Sequence, residues 1–192
     1  LPSWENWPKR SKSLIFSNDR NDVTKYGRNI FVVLPKNDAK IAVCPKNDFW
    51  SSFPNIKKDL YLYDIQQMNS QFTNTFDVLL DKKHNWLSIS PEEIQHIFNE
   101  ISNVDYETLV KTLASVNKSL WSKNAYAAME IAALFKHYNN NWISLFDNVL
   151  NPETNGFEMK SLKEVYNSTE SDREMFTEAD CIMVEENQFV ED

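Results

Sequence analysis

Residues 9–45 read KRSKSLIFSNDRNDVTKYGRNIFVVLPKNDAKIAVCP. Three apolar runs sit in this stretch, each cut off by turn chemistry. Ser13 to Ser17 (SLIFS) is short enough for a buried strand and ends in Asn18-Asp19. Ile30 to Leu34 (IFVVL) is β-branched and aromatic and meets Pro35, and Lys40 to Cys44 (KIAVC) meets Pro45. β-branched and aromatic runs bounded by Asn, Asp and Pro predict strands. Between the first two, Asn21 to Tyr26 has room for a helical turn or two, closed by Gly27.

Further along, the apolar period changes from strand to helix. Asp59 to Leu80, Pro91 to Ile101, Asp105 to Leu120, Asn124 to Tyr138 and Asn141 to Leu150 carry apolar residues at helical spacing. Ser90-Pro91-Glu92-Glu93 has the form of a capping box with proline at the first helical position. Asp48 to Phe53 reads as a short aromatic helix or an irregular hinge. After Asn151-Pro152 and Asn155-Gly156, the segments EMFT (Glu174 to Thr177) and CIMV (Cys181 to Val184) return to strand character, ahead of an acidic tail. Strands at both ends with helices between predict an α+β fold: a small mixed or antiparallel sheet from the terminal segments and a helical block at about 59–150. The expectation is a single domain over residues 1–192.

Composition narrows the function classes. Hydrophobic residues make up 42% of the 192, so a sizeable core can form. No apolar run approaches the roughly 18 residues of a membrane span. The start, Leu1-Pro2-Ser3-Trp4-Glu5, lacks the pattern of a signal peptide, and cytoplasmic residence is the default expectation. A formal charge of −8 argues against an extended nucleic-acid footprint. Residues 1–60 nevertheless hold a local excess of Lys and Arg, which suits a small anionic ligand. Glycine occurs only at Gly27 and Gly156, so no Gly-rich phosphate loop exists and any nucleotide site must be built from side chains and ordinary backbone. Cys44, Cys181 and the histidines His84, His96 and His137 share no metal-ligand spacing, and the cysteines read as reduced thiols.

If the terminal segments share a sheet, Arg10, Ser17 and Asn18 can meet the acids of Glu170-Ser171-Asp172-Arg173-Glu174 in one cleft. An arginine fork suits a phosphate, and a carboxylate opposite it suits a developing positive charge. With these residues the chain resembles the ADP-ribosyltransferase superfamily. The run KRSKSLIFSND is similar to that family's arginine-plus-serine strand element. DVTKYGRNIFVVLP is similar to its helix, Tyr-Gly turn and strand, and Asp172-Arg173-Glu174 to its late acidic doublet. The resemblance covers about the first 50 and last 25 residues. It implies NAD as substrate, no metal and a protein acceptor. It also implies Glu174 as the catalytic carboxylate, Arg10 on a phosphate or ribose, Ser17 supporting the glutamate, and Asn18, Tyr26 and Asp172 as further binding residues.

Each residue also admits a structural reading. Arg10 suits a surface-paired charge, Ser17-Asn18-Asp19 a turn or helix cap, Tyr26 a helix end, and Glu174 an edge-strand charge. The aromatic group Trp4, Trp7, Phe49, Trp50 and Phe53 suits either a core or a partner surface. A second expectation of a different class is therefore a non-catalytic interaction protein using its aromatic N-terminus and helical block.

Overall fold

The computed structural model describes residues 1–116 and 125–188. Six strands and eight α-helices are formed among them, in an α+β arrangement with two antiparallel sheets. The backbone divides into two compact units: Pro2–Ser52 with Asn151–Asp192, and Leu1 with Phe53–Leu150.

The first unit holds both sheets. β1 (Leu14–Ser17), β3 (Ile41–Val43), β4 (Glu158–Lys160) and β5 (Glu174–Thr177) form a four-stranded sheet in the order β1-β5-β3-β4. The terminal segments do share a sheet, as the sequence pattern predicts, and they do so twice. β2 (Phe31–Pro35) pairs with β6 (Cys181–Glu185) in a separate two-stranded ribbon. Pro35 does not stop its strand but forms the last position of β2, opposite Cys181. That is a position proline tolerates, because a ribbon of two strands has only edges.

β5 is buried along its whole length. Its odd-numbered positions point one way: Met175 joins Ala39, Ile41 and Val43, with Phe16 and Leu162 and Val165 of helix α8 (Leu162–Tyr166) packed against them. Phe176 and Glu174 lie on the opposite face. Phe49 packs against Phe176 with ring centroids 6.0 Å apart, and Phe157, Trp4 and Trp7 extend the cluster through edge-on and tilted contacts. The N-terminal tryptophans are thus half-buried parts of this unit. Asp48 to Ser52 forms bends and turns and no helix. Cys44 is buried, Cys181 half-buried, and both are free thiols.

The short helix α1 (Arg20–Val23) is started by Asp19, whose Oδ1 accepts from the Asn21 N–H at 2.7 Å. It ends at Thr24, before Tyr26-Gly27, and Gly27 is not in the left-handed conformation that a closing glycine would adopt. A full capping box forms at the start of α8, where the Ser161 hydroxyl accepts from the Glu164 N–H and the Glu164 carboxylate accepts from the Ser161 N–H.

The second unit is helical. The single helix expected over 59–80 is two, α2 (Pro54–Leu60) and α3 (Ile65–Leu79). Tyr61 turns left-handed at φ 57°, and Asp64 then caps α3 by accepting from the Gln67 N–H. α4 (Pro91–Ile101) starts at the expected place, with proline in its first turn and the Ser90 hydroxyl accepting from the Glu93 N–H, but among the described residues the return bond from the Glu93 side chain that would complete a capping box is not formed. α5 (Tyr106–Val116), α6 (Ala125–His137) and α7 (Trp142–Val149) follow, while the expected extension of α5 over 117–120 lies outside the described residues. Their apolar faces meet around Trp142, which is fully buried and stacked 4.0 Å from Phe135. Asp77 ties down the segment after α3 by accepting from His84 Nδ1 and Trp86 Nε1. No helix among the described residues is long and apolar enough to cross a membrane.

Phe176 has no exposed surface and sits at the centre of the four-stranded sheet. Phe176→Ala is expected to cost about 3–5 kcal/mol, seen as a lowered urea midpoint with accelerated hydrogen exchange of β1, β3 and β5 amides.

Candidate functional site

The β1–β5 register decides what the two ends of the chain put side by side. Ser17 lies directly opposite Glu174, and Ile15 opposite Phe176. Opposed residues of an antiparallel pair share a face, so the serine and the glutamate project together. Asn18 keeps the two strands aligned beyond the ladder. Its Oδ1 accepts from the Arg173 N–H at 2.9 Å and its Nδ2 donates to the Glu170 carbonyl at 2.6 Å. Between those two bonds Asp172 takes a left-handed φ of 64°, which Asp tolerates better than most residues.

Arg10 comes from the 3₁₀ turn Arg10–Lys12 just ahead of β1. Its Nε donates to Glu174 Oε1 at 3.0 Å. The guanidinium carbon lies 4.9 Å from the centroid of Phe49 and 5.7 Å from that of Trp50. The other Glu174 oxygen accepts from the Phe49 N–H at 3.2 Å. Glu174 is only 8% exposed, so a buried carboxylate is held from two sides, one of them cationic. The guanidinium uses its Nε donor in this contact, and among the described residues its terminal nitrogens make no hydrogen bond or ion pair.

A cavity of about 320 Å³ opens beside this pair. Arg10, Ser17, Tyr26 and Glu174 line it, together with Ile15, Asp22, Val23 and Asn47. Thus four of the residues singled out from the sequence meet at one place. Asn18 and Asp172 do not line it. Asn18 holds the turn that precedes Glu174, and Asp172 acts on the cavity through Asp22. Ser17 and Glu174 share a face without a hydrogen bond between them, because the Ser17 Oγ accepts instead from the Asp19 N–H at 3.0 Å. Tyr26 is 84% exposed and stands at the rim.

Asp22 and Asn47 went unnoticed in the sequence. Asp22 lies in a polar run whose apparent role is to start a helix, and only the fold turns it inward. It is 8% exposed. Its Oδ1 accepts from Lys25 Nζ, while its Oδ2 is buried with no hydrogen-bond partner. The adjoining Asp172 and then Lys25 hold the Asp22 carboxyl below the usual carboxylate range. Asp22 in turn, and then burial, push Asp172 above that range.

Chemically the arrangement offers an apolar wall, a fixed carboxylate, a second, buried carboxylate in the lining, and a guanidinium with donors to spare. Among the described residues no three His, Cys, Asp or Glu side chains gather as a metal ion would require. The Cys44 thiol is pushed far up by burial and then by Glu174, which leaves it inert as a nucleophile. No family model, curated protein or solved structure matches the chain.

Arg10→Met removes the cation and keeps the length of the stem, so Glu174 is left with the Phe49 N–H alone. The expected loss is about 1.5–3 kcal/mol, the range for a hydrogen bond to a charged group. Adding Glu174→Gln should recover part of that loss, since no unpaired buried charge remains. Urea midpoints of the single variants and the double variant test this.

Proposed function

We propose that the chain is an NAD-dependent ADP-ribosyltransferase-like enzyme that transfers ADP-ribose to a protein acceptor. One observation carries the reading: Arg10, Ser17, Tyr26 and Glu174, residues from both ends of the chain, line the same cavity. A protein whose charges served only its surface would have no reason to bury Glu174 against an aromatic-stacked arginine at the mouth of a pocket.

The dimensions set how a dinucleotide would fit. At about 320 Å³ the cavity is near the lower end of the roughly 300–1,000 Å³ typical of ligand pockets. That volume suits the nicotinamide-ribose half, with the rest of the molecule running outward past Arg10. The terminal nitrogens of Arg10 then take a phosphate while its Nε stays on Glu174, a division of labour that the planar fork permits and an ammonium would not. Tyr26 at the rim supplies an aromatic face for the ring.

Transfer begins as the bond between the ribose C1′ and the nicotinamide nitrogen breaks, the electron pair leaving with the neutral nicotinamide. Positive charge develops on the ribose, and Glu174 stabilises it from a dry, fixed position. A lone pair on the acceptor side chain forms the new bond to C1′, and the proton it sheds passes to solvent. Cytoplasm, where NAD is present, is the compartment that fits this reading.

Incubating the protein with NAD should release nicotinamide or add ADP-ribose to the chain itself, both read by chromatography and intact mass. Glu174→Gln should lower the rate at least a hundredfold, as loss of one electrostatic stabiliser typically does. Absence of both turnover and NAD binding by calorimetry would overturn the proposal.

A further inference from the structure

The β2–β6 ribbon has two edges, and the sequence treats them differently. Its ladder runs through even-numbered positions: the Glu186 N–H donates to the Ile30 carbonyl at 2.9 Å, and the Lys36 N–H to the Asp180 carbonyl at 3.2 Å. Backbone groups alternate in direction along an antiparallel strand. The odd-numbered positions of β6, Cys181, Met183 and Glu185, therefore turn their N–H groups away from β2. Among the described residues none of these three N–H groups is hydrogen-bonded. On β2 the same parity turns Phe31, Val33 and Pro35 outward, and there proline has no N–H to offer. One edge of the ribbon is open and the other is blunted.

The open edge is also apolar. Ile182 is 67% exposed and Met183 57%, one on each face of β6. Cross-strand neighbours share a face, so Ile182 joins Leu34, and Val184 joins Val32, on one side of the ribbon. An exposed apolar edge of this kind is a template for a further strand.

We propose that β6 pairs with β6 of a second copy of this chain, antiparallel about a two-fold axis at Met183, joining two ribbons into one four-stranded sheet. The edge is complementary to itself in that register. Met183 faces its own equivalent, and the two exchange N–H···O=C bonds. Ile182 falls opposite Val184 of the second copy, and Glu185 falls opposite Cys181, so no glutamate faces a glutamate within the strand. Just beyond it Asp180 comes opposite Glu186, and each already carries its own cation, Lys36 and Arg20. Leu34, Ile182, Val184 and Val32 then form an apolar row across all four strands, which flanks the most exposed apolar side chains of the ribbon. The outer edges of the joined sheet are the two that Pro35 blunts, so pairing closes at a dimer and does not propagate. Five residues a side make a short interface, and the association is weak and concentration-dependent. It owes nothing to the cavity and is tested without NAD.

Sedimentation velocity from about 5 to about 500 µM, the range suited to a small interface, should show the monomer giving way to a species of twice its mass. Hydrogen exchange at the two ends of that series gives the location. The amides of Cys181, Met183 and Glu185 should gain protection several-fold at the high concentration, while those of Ile182 and Val184, held by β2, should not change. Met183→Pro deletes the outward donor and leaves the ladder to β2 in place, so it should weaken association by roughly tenfold or more, two bonds being lost per dimer. Met183→Lys sets two ammonium groups together at the axis and should weaken it at least about as much. Met183→Leu should associate like the unaltered chain. The exchange pattern of the unaltered chain decides the matter even where a variant fails to fold. A chain that stays monomeric throughout overturns the inference and leaves the edge to an extended strand of another protein. Protection of the three amides at every concentration also overturns it, since the chain itself would then cover the edge. So does a dimer indifferent to both Met183→Pro and Met183→Lys, or growth beyond the dimer.

Discussion

The pairing of β1 with β5 is the constraint on which the site depends. It joins segments about 160 residues apart, Ser17 to Glu174, so it is bought with a long loop closure and offers little by way of local propensity. Its register is fixed because β5 is buried on both faces. A slip of one residue would turn Glu174 toward the apolar cluster of Ile41, Val43 and Phe16, and would turn Met175 toward Arg10. Burying a carboxylate among aliphatic side chains is expensive, and so the glutamate itself helps specify the strand alignment that its chemistry needs. Asn18 reinforces that alignment through two bonds to the turn ahead of β5.

Glu174 is tolerated in the interior only because three different groups share the cost. The Arg10 Nε neutralises it, the Phe49 N–H satisfies its second oxygen, and the rings of Phe49 and Trp50 accept the face of the guanidinium. Exposed ion pairs elsewhere in the same unit contrast with this. Arg20 and Glu186 make a two-pronged contact, but the arginine side chain is 65% exposed, so the pair is worth little in water. Good geometry is common to both pairs; exclusion of water belongs to one.

Much of this was legible in the residue pattern, and the remainder has identifiable reasons. Strands β1, β2 and β3 follow from apolar runs closed by Asn or Pro, β5 and β6 from the short apolar segments EMFT and CIMV, and the helical block from its apolar period. β4, three residues long, carries no pattern of its own and exists because β3 offers it an edge. The break between α2 and α3 was hidden because the apolar spacing runs across it, while the decisive feature is the backbone of Tyr61. In the site, Arg10, Ser17 and Glu174 stood out through residue type and position near strand ends. Asp22 did not, since a polar residue in a polar run announces a turn, and its burial depends on how α1 folds against β1.

The scarcity of glycine gives these details a common logic. A chain without a Gly-rich loop has no flexible glycine cradle for a phosphate, so side chains and ordinary backbone must supply its recognition. Side chains bring charge, and among the described residues the acids Asp22, Asp172 and Glu174 lie in or against this cavity together with the cations Arg10 and Lys25. Such a balance attracts positive character into the cavity and leaves the guanidinium at its edge as the one feature there suited to a phosphate. A ligand with a cationic ring at one end and phosphates beyond it meets both requirements in a single orientation. The acidic interior and the arginine therefore act as one device on the proposed reading: the first chooses which end enters, and the second sets how far it goes.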